Sequence, residues 1–248
     1  MTKVKARING HHFLEEIDAQ LLNTHNNFIH SWASPVNGTV YGTLLNDRFE
    51  VEIMKERFKE APYNQPPKAP VLYIKPINTL TGHQSAIPLP LNSNQIQISA
   101  GLGIVIGIKA EKVSAKDAFD YIEGFTIVND VSLPHNSLFR PAVKEKARDG
   151  FCPVGPWIVP AAAVSDPHNL GIKVFINNEL MQDFHTSRLV RTIPELLRDV
   201  TEFMTLNAGD LLIAGTGAHP PLAGDGDLIT IEIDEVGRLE NSVRRDRL

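Results

Sequence analysis

The run Ser99-Ala100-Gly101-Leu102-Gly103-Ile104-Val105-Ile106-Gly107, then a short polar stretch, then Phe125-Thr126-Ile127-Val128-Asn129-Asp130, decides how the chain folds. The first block is apolar and rich in glycine, the composition of a buried strand whose backbone approaches a neighbour closely. The second is a β-branched run that ends in an acid, so the spacing predicts a strand with a carboxylate at its terminus. Between them Ser114-Ala115-Lys116-Asp117 reads as a capping box that starts a helix, with Gly124 as its stop. A glycine loop that cradles phosphate should follow a strand and open a helix. Here the glycines lie within the apolar run itself, so dinucleotide binding is rejected.

Working outward, Asn46 to Ala61 has a helical pattern carrying Phe49, Ile53, Met54 and Phe58, stopped by Pro62. Tyr63 to Pro70 is a proline-rich connector. Val71-Leu72-Tyr73-Ile74-Lys75-Pro76 then reads as a strand that leaves Lys75 at its end. Ile172 to Glu179 alternates and turns at Asn177-Asn178, a hairpin signal. Thr192-Ile193-Pro194-Glu195 is a second capping box, opening a helix with Leu196, Leu197, Val200, Phe203 and Met204 on one face and an end near Gly209. That stripe reads as core or subunit packing. Leu211–Ala214 and Ile229–Ile233 read as strands, and Arg244-Arg245-Asp246-Arg247 as a solvated tail. Strands outnumber helices and no strand–helix repeat appears, which disfavours a doubly wound sheet and predicts a mainly β, α+β fold.

The chain has 248 residues, of which 42% are hydrophobic and 21% charged, the range of an ordinary globular protein with a sizeable core. A net charge of -5 argues against nucleic acid as a partner. No apolar run approaches membrane-spanning length, and the first residues do not read as a signal peptide, so neither a membrane nor export is expected. The single cysteine excludes an internal disulfide and fits a reducing cytoplasm. Cys152 lacks a flanking histidine and reads as a buried structural thiol. His11 and His12 beside Asn9-Gly10 read as a solvated turn.

Lys75-Pro76, the glycine-rich strand, Asn129-Asp130-Val131-Ser132-Leu133-Pro134, Phe139-Arg140-Pro141-Ala142, Lys146 to Pro156, and Leu206-Asn207-Ala208-Gly209-Asp210 with Ala214-Gly215-Thr216 together resemble the fumarylacetoacetate hydrolase superfamily over residues 39–243. Within it they are most similar to the isomerase/decarboxylase branch of homoprotocatechuate breakdown. The resemblance implies the mixed β-sandwich roll of that superfamily, with a few short helices, over residues 39–248, behind a lead-in segment of residues 1–38. It implies substrates that are small oxo-dicarboxylates or oxo-tricarboxylates. It also implies a subunit that works on 2-hydroxyhepta-2,4-diene-1,7-dioate or 5-oxopent-3-ene-1,2,5-tricarboxylate, and either a homodimer or a hetero-oligomer with a homologue that carries Glu-x-Glu.

By the same resemblance Lys75 and Arg148 hold substrate carboxylates, Asp130 shuttles a proton, Lys146 pairs with a carboxylate or a developing enolate, and Thr216 orients the substrate. The superfamily takes two metal-ligating glutamates from a Glu-x-Glu pair, and those positions are Ser99 and Gly101 here. Only Asp130 remains. One carboxylate is a poor cage for a hard divalent cation, so no cofactor is expected beyond a weak magnesium or manganese ion at Asp130. The superfamily's histidine base falls on Glu50, read here as a solvated helix residue. Without metal clamp or histidine, carbon–carbon hydrolysis of the acylpyruvate type is disfavoured. Tautomerisation by proton transfer is the reaction best retained, since positioned acid/base groups alone contribute about 10²–10⁴-fold. The alternative is a non-catalytic partner of a metal-binding homologue.

Overall fold

The computed structural model describes residues 3–8, 13–19, 32–135 and 141–246. The large sheet runs β2 (Glu15–Asp18), β1 (Lys3–Ile8), β11 (Cys152–Pro160), β10 (Ile122–Asn129), β9 (Ala100–Ile106), β14 (Leu211–Thr216), β4 (Val40–Leu44) and β5 (Val71–Lys75). β3 (Trp32–Ala33) joins β1, and β6 (Leu80–Thr81) joins β11. A second sheet runs β13 (Glu179–His185), β12 (Gly171–Ile176), β16 (Leu228–Ile233), β17 (Gly237–Arg245) and β7 (Ala86–Leu89). β8 (Ile96–Gln97) pairs with β15 (Leu222–Ala223). Most neighbours are antiparallel, while β14 with β4, β17 with β7 and β11 with β6 are parallel, so the mainly β, mixed-sheet architecture is borne out.

β9 sits at the centre with every residue buried. Its alternation divides the interior. Leu102, Ile104 and Ile106 enter the main core against Ile172, Val174, Ile229 and Ile231 of the second sheet. Val105 faces a smaller cluster with Val128, Cys152 and Leu211. Gly101 and Gly103 lie on that same opposite face, and the sequence reading of close approach holds. A Cβ on Gly103 would stand 2.8 Å from Val128 Cγ2, and one on Gly101 2.8 Å from the Gly215 carbonyl oxygen.

Several local expectations change. The polar stretch before β10 is a 3₁₀ turn, Ala115–Tyr121, in which Ser114 Oγ donates to Asp117 Oδ2 instead of capping backbone. Gly124 stops no helix. It lies within β10, where a Cβ would come 2.0 Å from the Val159 carbonyl oxygen. The helix expected from Asn46 to Ala61 is only α1 (Arg48–Met54), followed by a 3₁₀ turn at Arg57–Lys59. The short α2 (Val143–Lys146) follows β10.

The Thr192 capping box is present and starts α3 (Ile193–Thr201). Leu196, Leu197 and Val200 are spent on the chain's own core, whereas Phe203 lies beyond the helix and is 68% exposed. Asn177 and Asn178 both have positive φ, the geometry of a two-residue hairpin turn. Within the lead-in expected over residues 1–38, β1 pairs with β11 and buries Val4 and Ala6. Arg244 and Arg245 are no tail: both belong to β17 and pair with β7. His11, His12 and Arg247 lie outside the described residues. Among the described residues no helix is long and apolar enough to cross a membrane.

Candidate active site

β10 delivers Asp130 just past its last residue, into a position that is 1% exposed. The edge strand β5, separated from β10 in the sheet by β9, β14 and β4, contributes Tyr73 and Lys75, and α2 contributes Lys146 at its end. Lys146 Nζ donates to Asp130 Oδ2 at 2.5 Å, and Lys75 Nζ stands 3.0 Å from Oδ1. Tyr73 donates its hydroxyl to Oδ2 at 2.5 Å, and its ring centroid lies 4.6 Å from Lys146 Nζ. Lys75 also donates to the carbonyls of Val131 (2.9 Å) and Lys146 (2.8 Å), which ties β5 to the turn after β10 and to α2. Burial alone would raise the Asp130 pKa. The neighbouring ammonium groups of Lys146 and Lys75, with the hydrogen bonds from Lys146 and Tyr73, outweigh it and hold the carboxyl well below the usual range. Tyr73 moves the other way, pushed well up by burial and by the charge of Asp130.

Above this network opens a cleft of about 320 Å³, lined among others by Glu50, Arg57, Ser99, Lys146, Thr216 and His219. Of the residues expected to be catalytic or to bind substrate, Lys146 and Thr216 reach it. Asp130 lies behind Lys146 and is absent from the cleft lining, and its lowered pKa favours the charged form that pairs with the two lysines over the proton shuttle expected of it. Lys75 is wholly buried, with its ammonium facing three oxygens, and it is not among the residues that line the cleft. Arg148 lies outside the cleft lining, with its guanidinium 5.9 Å from the centre of the Phe151 ring. Cys152 is buried in β11, and burial pushes its thiol up to about 12, as a structural thiol requires.

Glu50 is the main correction. Instead of a solvated helix face it occupies the cleft, half-buried. Burial first, and then the charge of Asp47, push its carboxyl from an ordinary 4.5 up to about 7, against the pull of the Leu45 backbone and Lys146. The signal was present as helical spacing: Glu50, Ile53, Met54 and Arg57 stand at i, i+3, i+4 and i+7, and all four line the cleft. Tyr73 had no such signal, since its role depends on which strand β5 pairs with.

A divalent cation does not fit these residues. Both oxygens of Asp130 already face ammonium groups. Gly101 supplies no ligand, and any side chain there would meet the Gly215 carbonyl and Ile213. Among the described residues no cluster of three His, Cys, Asp or Glu side chains is arranged to hold a metal ion.

Residues 39–244 match the sequence profile of the family described as Fumarylacetoacetate (FAA) hydrolase C-terminal. The 4-hydroxyphenylacetate degradation bifunctional isomerase/decarboxylase of Salmonella dublin is 38% identical over 215 residues, covering 86% of this chain and 48% of that protein. The chain thus spans about half the length of the curated relatives it matches. The crystal structure of 2-hydroxyhepta-2,4-diene-1,7-dioate isomerase from Mycobacterium marinum has a TM-score of 0.77 at 27% identity and covers both chains completely. The 5-carboxymethyl-2-hydroxymuconate delta-isomerase of Mycobacterium smegmatis has a TM-score of 0.75 at 29% identity, covering 87% of this chain and 82% of its own. With the Asp130 network, the roll of mixed sheets and a profile match over most of its length, this chain belongs to the fumarylacetoacetate hydrolase family.

Proposed function

We propose that the chain is a metal-independent isomerase that moves a double bond in a small unsaturated oxo-dicarboxylate, with 2-hydroxyhepta-2,4-diene-1,7-dioate as substrate. The observation that carries this reading is a single cleft faced both by a fixed ammonium group, Lys146, and by a carboxyl poised near neutrality, Glu50. Converting the 2-hydroxy-2,4-diene to the 2-oxo-3-ene removes the enol proton and adds one at C5, with no change in oxidation level. Glu50 ionises at about 7, which suits both accepting the enol proton and returning it to carbon. Lys146 stabilises the negative charge that grows on the enol oxygen, and Asp130 fixes the direction of that ammonium. Thr216 supplies a hydroxyl at the cleft wall. Arg57, in the turn after α1 and lining the same cleft as Glu50, is an exposed guanidinium suited to the far carboxylate. It takes the role that Lys75 and Arg148 held in the sequence reading.

Removing one preorganised donor from such a site lowers kcat by about 10²–10³-fold. That loss is expected for Lys146→Ala with the purified chain and the dienoate, followed by loss of diene absorbance. Unchanged turnover would end this reading. A second reading, that the chain supports a metal-binding homologue, is favoured by Ser99 and Gly101 standing at the two glutamate positions. Co-expression with that homologue decides: activity confined to the mixed oligomer, and indifferent to Lys146→Ala, supports the partner role.

A further inference from the structure

We propose that Arg188 is a positioning residue for proton transfer: gripping Asp47 at the start of α1, it holds Glu50 at the cleft and neutralises the charge beside it. The inference rests on the reading of Glu50 as the proton carrier.

Asp47 is the N-cap of α1, its Oδ1 accepting from the Phe49 N–H at 2.7 Å, and it is 3% exposed. A carboxylate so buried needs a partner. Arg188, from the turn after β13, supplies one as a fork: Nη2 reaches Oδ1 at 2.8 Å and Oδ2 at 2.7 Å, and Nε reaches Oδ1 at 3.2 Å. Its guanidinium also lies 5.2 Å from the centre of the Phe49 ring. The preceding residue is clamped as well. Asn46 Oδ1 accepts from the Arg191 N–H at 2.9 Å, and its amide donates to the Ala214 carbonyl at 2.6 Å. The first turn of α1 is therefore fixed on two strands' worth of scaffold, and Glu50 is one turn away.

That short path couples charge as well as position. Asp47 is the leading charged neighbour that raises Glu50, and Arg188 is the group that offsets Asp47. The other groups facing Glu50 are Lys146 from α2, with Asp130 behind it, Tyr73 from β5, and Arg57, His135 and His219 around the cleft. None of these is altered by a change at position 188.

The test reads the Glu50 carboxyl directly, by 13C NMR titration of carboxyl-labelled full-length protein with Glu50→Gln assigning the signal, alongside the pH profile of kcat/KM. Arg188→Gln leaves Asp47 uncompensated, so the Glu50 midpoint should rise by about half to one pH unit. Asp47→Asn keeps a competent N-cap but loses the charge, so the midpoint should fall by a similar amount. Arg188→Lys restores the charge without the fork, and should return the midpoint while leaving kcat several-fold low. A midpoint unchanged in Asp47→Asn, or an unchanged kcat in Arg188→Lys, whatever happens to melting temperature, would reduce Arg188 to a structural tie and overturn the proposal. Asp47→Asn and Arg188→Lys keep the test decisive if Arg188→Gln does not fold. Should Glu50→Gln retain full turnover, the assignment of the proton carrier fails on its own, and the titrations still decide whether Arg188 governs that carboxyl.

Discussion

Glu50→Gln should stabilise the protein above neutral pH while abolishing its turnover. In the folded chain the carboxyl titrates at about 7, whereas an unburied glutamate titrates at 4.5. The native state therefore holds this proton more tightly than the unfolded state between those two values. Stability falls as pH rises through that window, is fully penalised above about 7, and carries no penalty below 4.5. The gap converts, at about 1.4 kcal/mol per pH unit, to a ceiling of about 3 kcal/mol. Because Glu50 is only half-buried and water reaches the cleft, about 2 kcal/mol is the realistic figure. Glutamine has the shape of the protonated acid and cannot ionise, so it removes the penalty.

For a chain of this length that gain raises the melting temperature at pH 8 by about 4–8 °C. Paired calorimetric scans of parent and variant at pH 5 and pH 8 measure it. The difference should be present at pH 8 and nearly absent at pH 5, and the dienoate assay should show at least a hundredfold loss of kcat. A variant equally stable at both pH values, or less stable at pH 8, would mean that Glu50 is an ordinary surface carboxylate and would remove it from the mechanism.

Asp130→Asn leaves Lys75 and Lys146 buried without a counter-charge and should cost about 3–5 kcal/mol, read as a lower urea midpoint; an unchanged midpoint would show that the two lysines do not depend on the carboxylate. Installing glutamates at Ser99 and Gly101 should not yield a protein that binds magnesium or manganese stoichiometrically, because the Gly215 carbonyl and Ile213 fill the space at position 101. A folded double variant carrying one ion per chain would refute that packing argument. Arg57→Gln should raise KM for the dicarboxylate about tenfold with kcat retained, and leave a monocarboxylate analogue unaffected. Equal effects on both substrates would move the far carboxylate elsewhere.

What could be read from the chain follows from how local each feature is. β9, β10 and the Asn177-Asn178 turn are local: alternation, β-branching and a turn that needs positive φ are all written within a few residues. The capping box at Thr192 is equally local, and it is present. The one at Ser114 has the same pattern but yields a 3₁₀ turn, because β10 begins at Ile122 and leaves no room for a longer helix. A resemblance in the order of motifs identified Asp130 and Lys146, yet it could not say which of the cationic residues faces the ligand. That depends on pairing across long separations. β5 at the sheet edge turns Lys75 inward onto Asp130, so the residue nearest the family motif becomes a support, while the less conspicuous Glu50 and Arg57 come to the surface of the cleft.

The same geometry explains why losing two acids need not empty the site of chemistry. The Asp130 cluster contains two lysine side chains and one carboxylate, so by formal count it keeps one positive charge in excess beneath the cleft. That charge is held in a fixed direction by a carboxylate that its ammonium and hydroxyl partners keep ionised against the effect of burial. On the proposed reading a substrate enolate above Lys146 would complete the balance, and only as negative charge develops, which is the condition for stabilising a transition state more than the ground state. On that reading the proton acceptor lines the same cleft as Lys146, and it must be close enough to share the proton's path and far enough to avoid a permanent salt bridge. Glu50 meets both conditions, since Lys146 lowers its pKa without outweighing burial and Asp47.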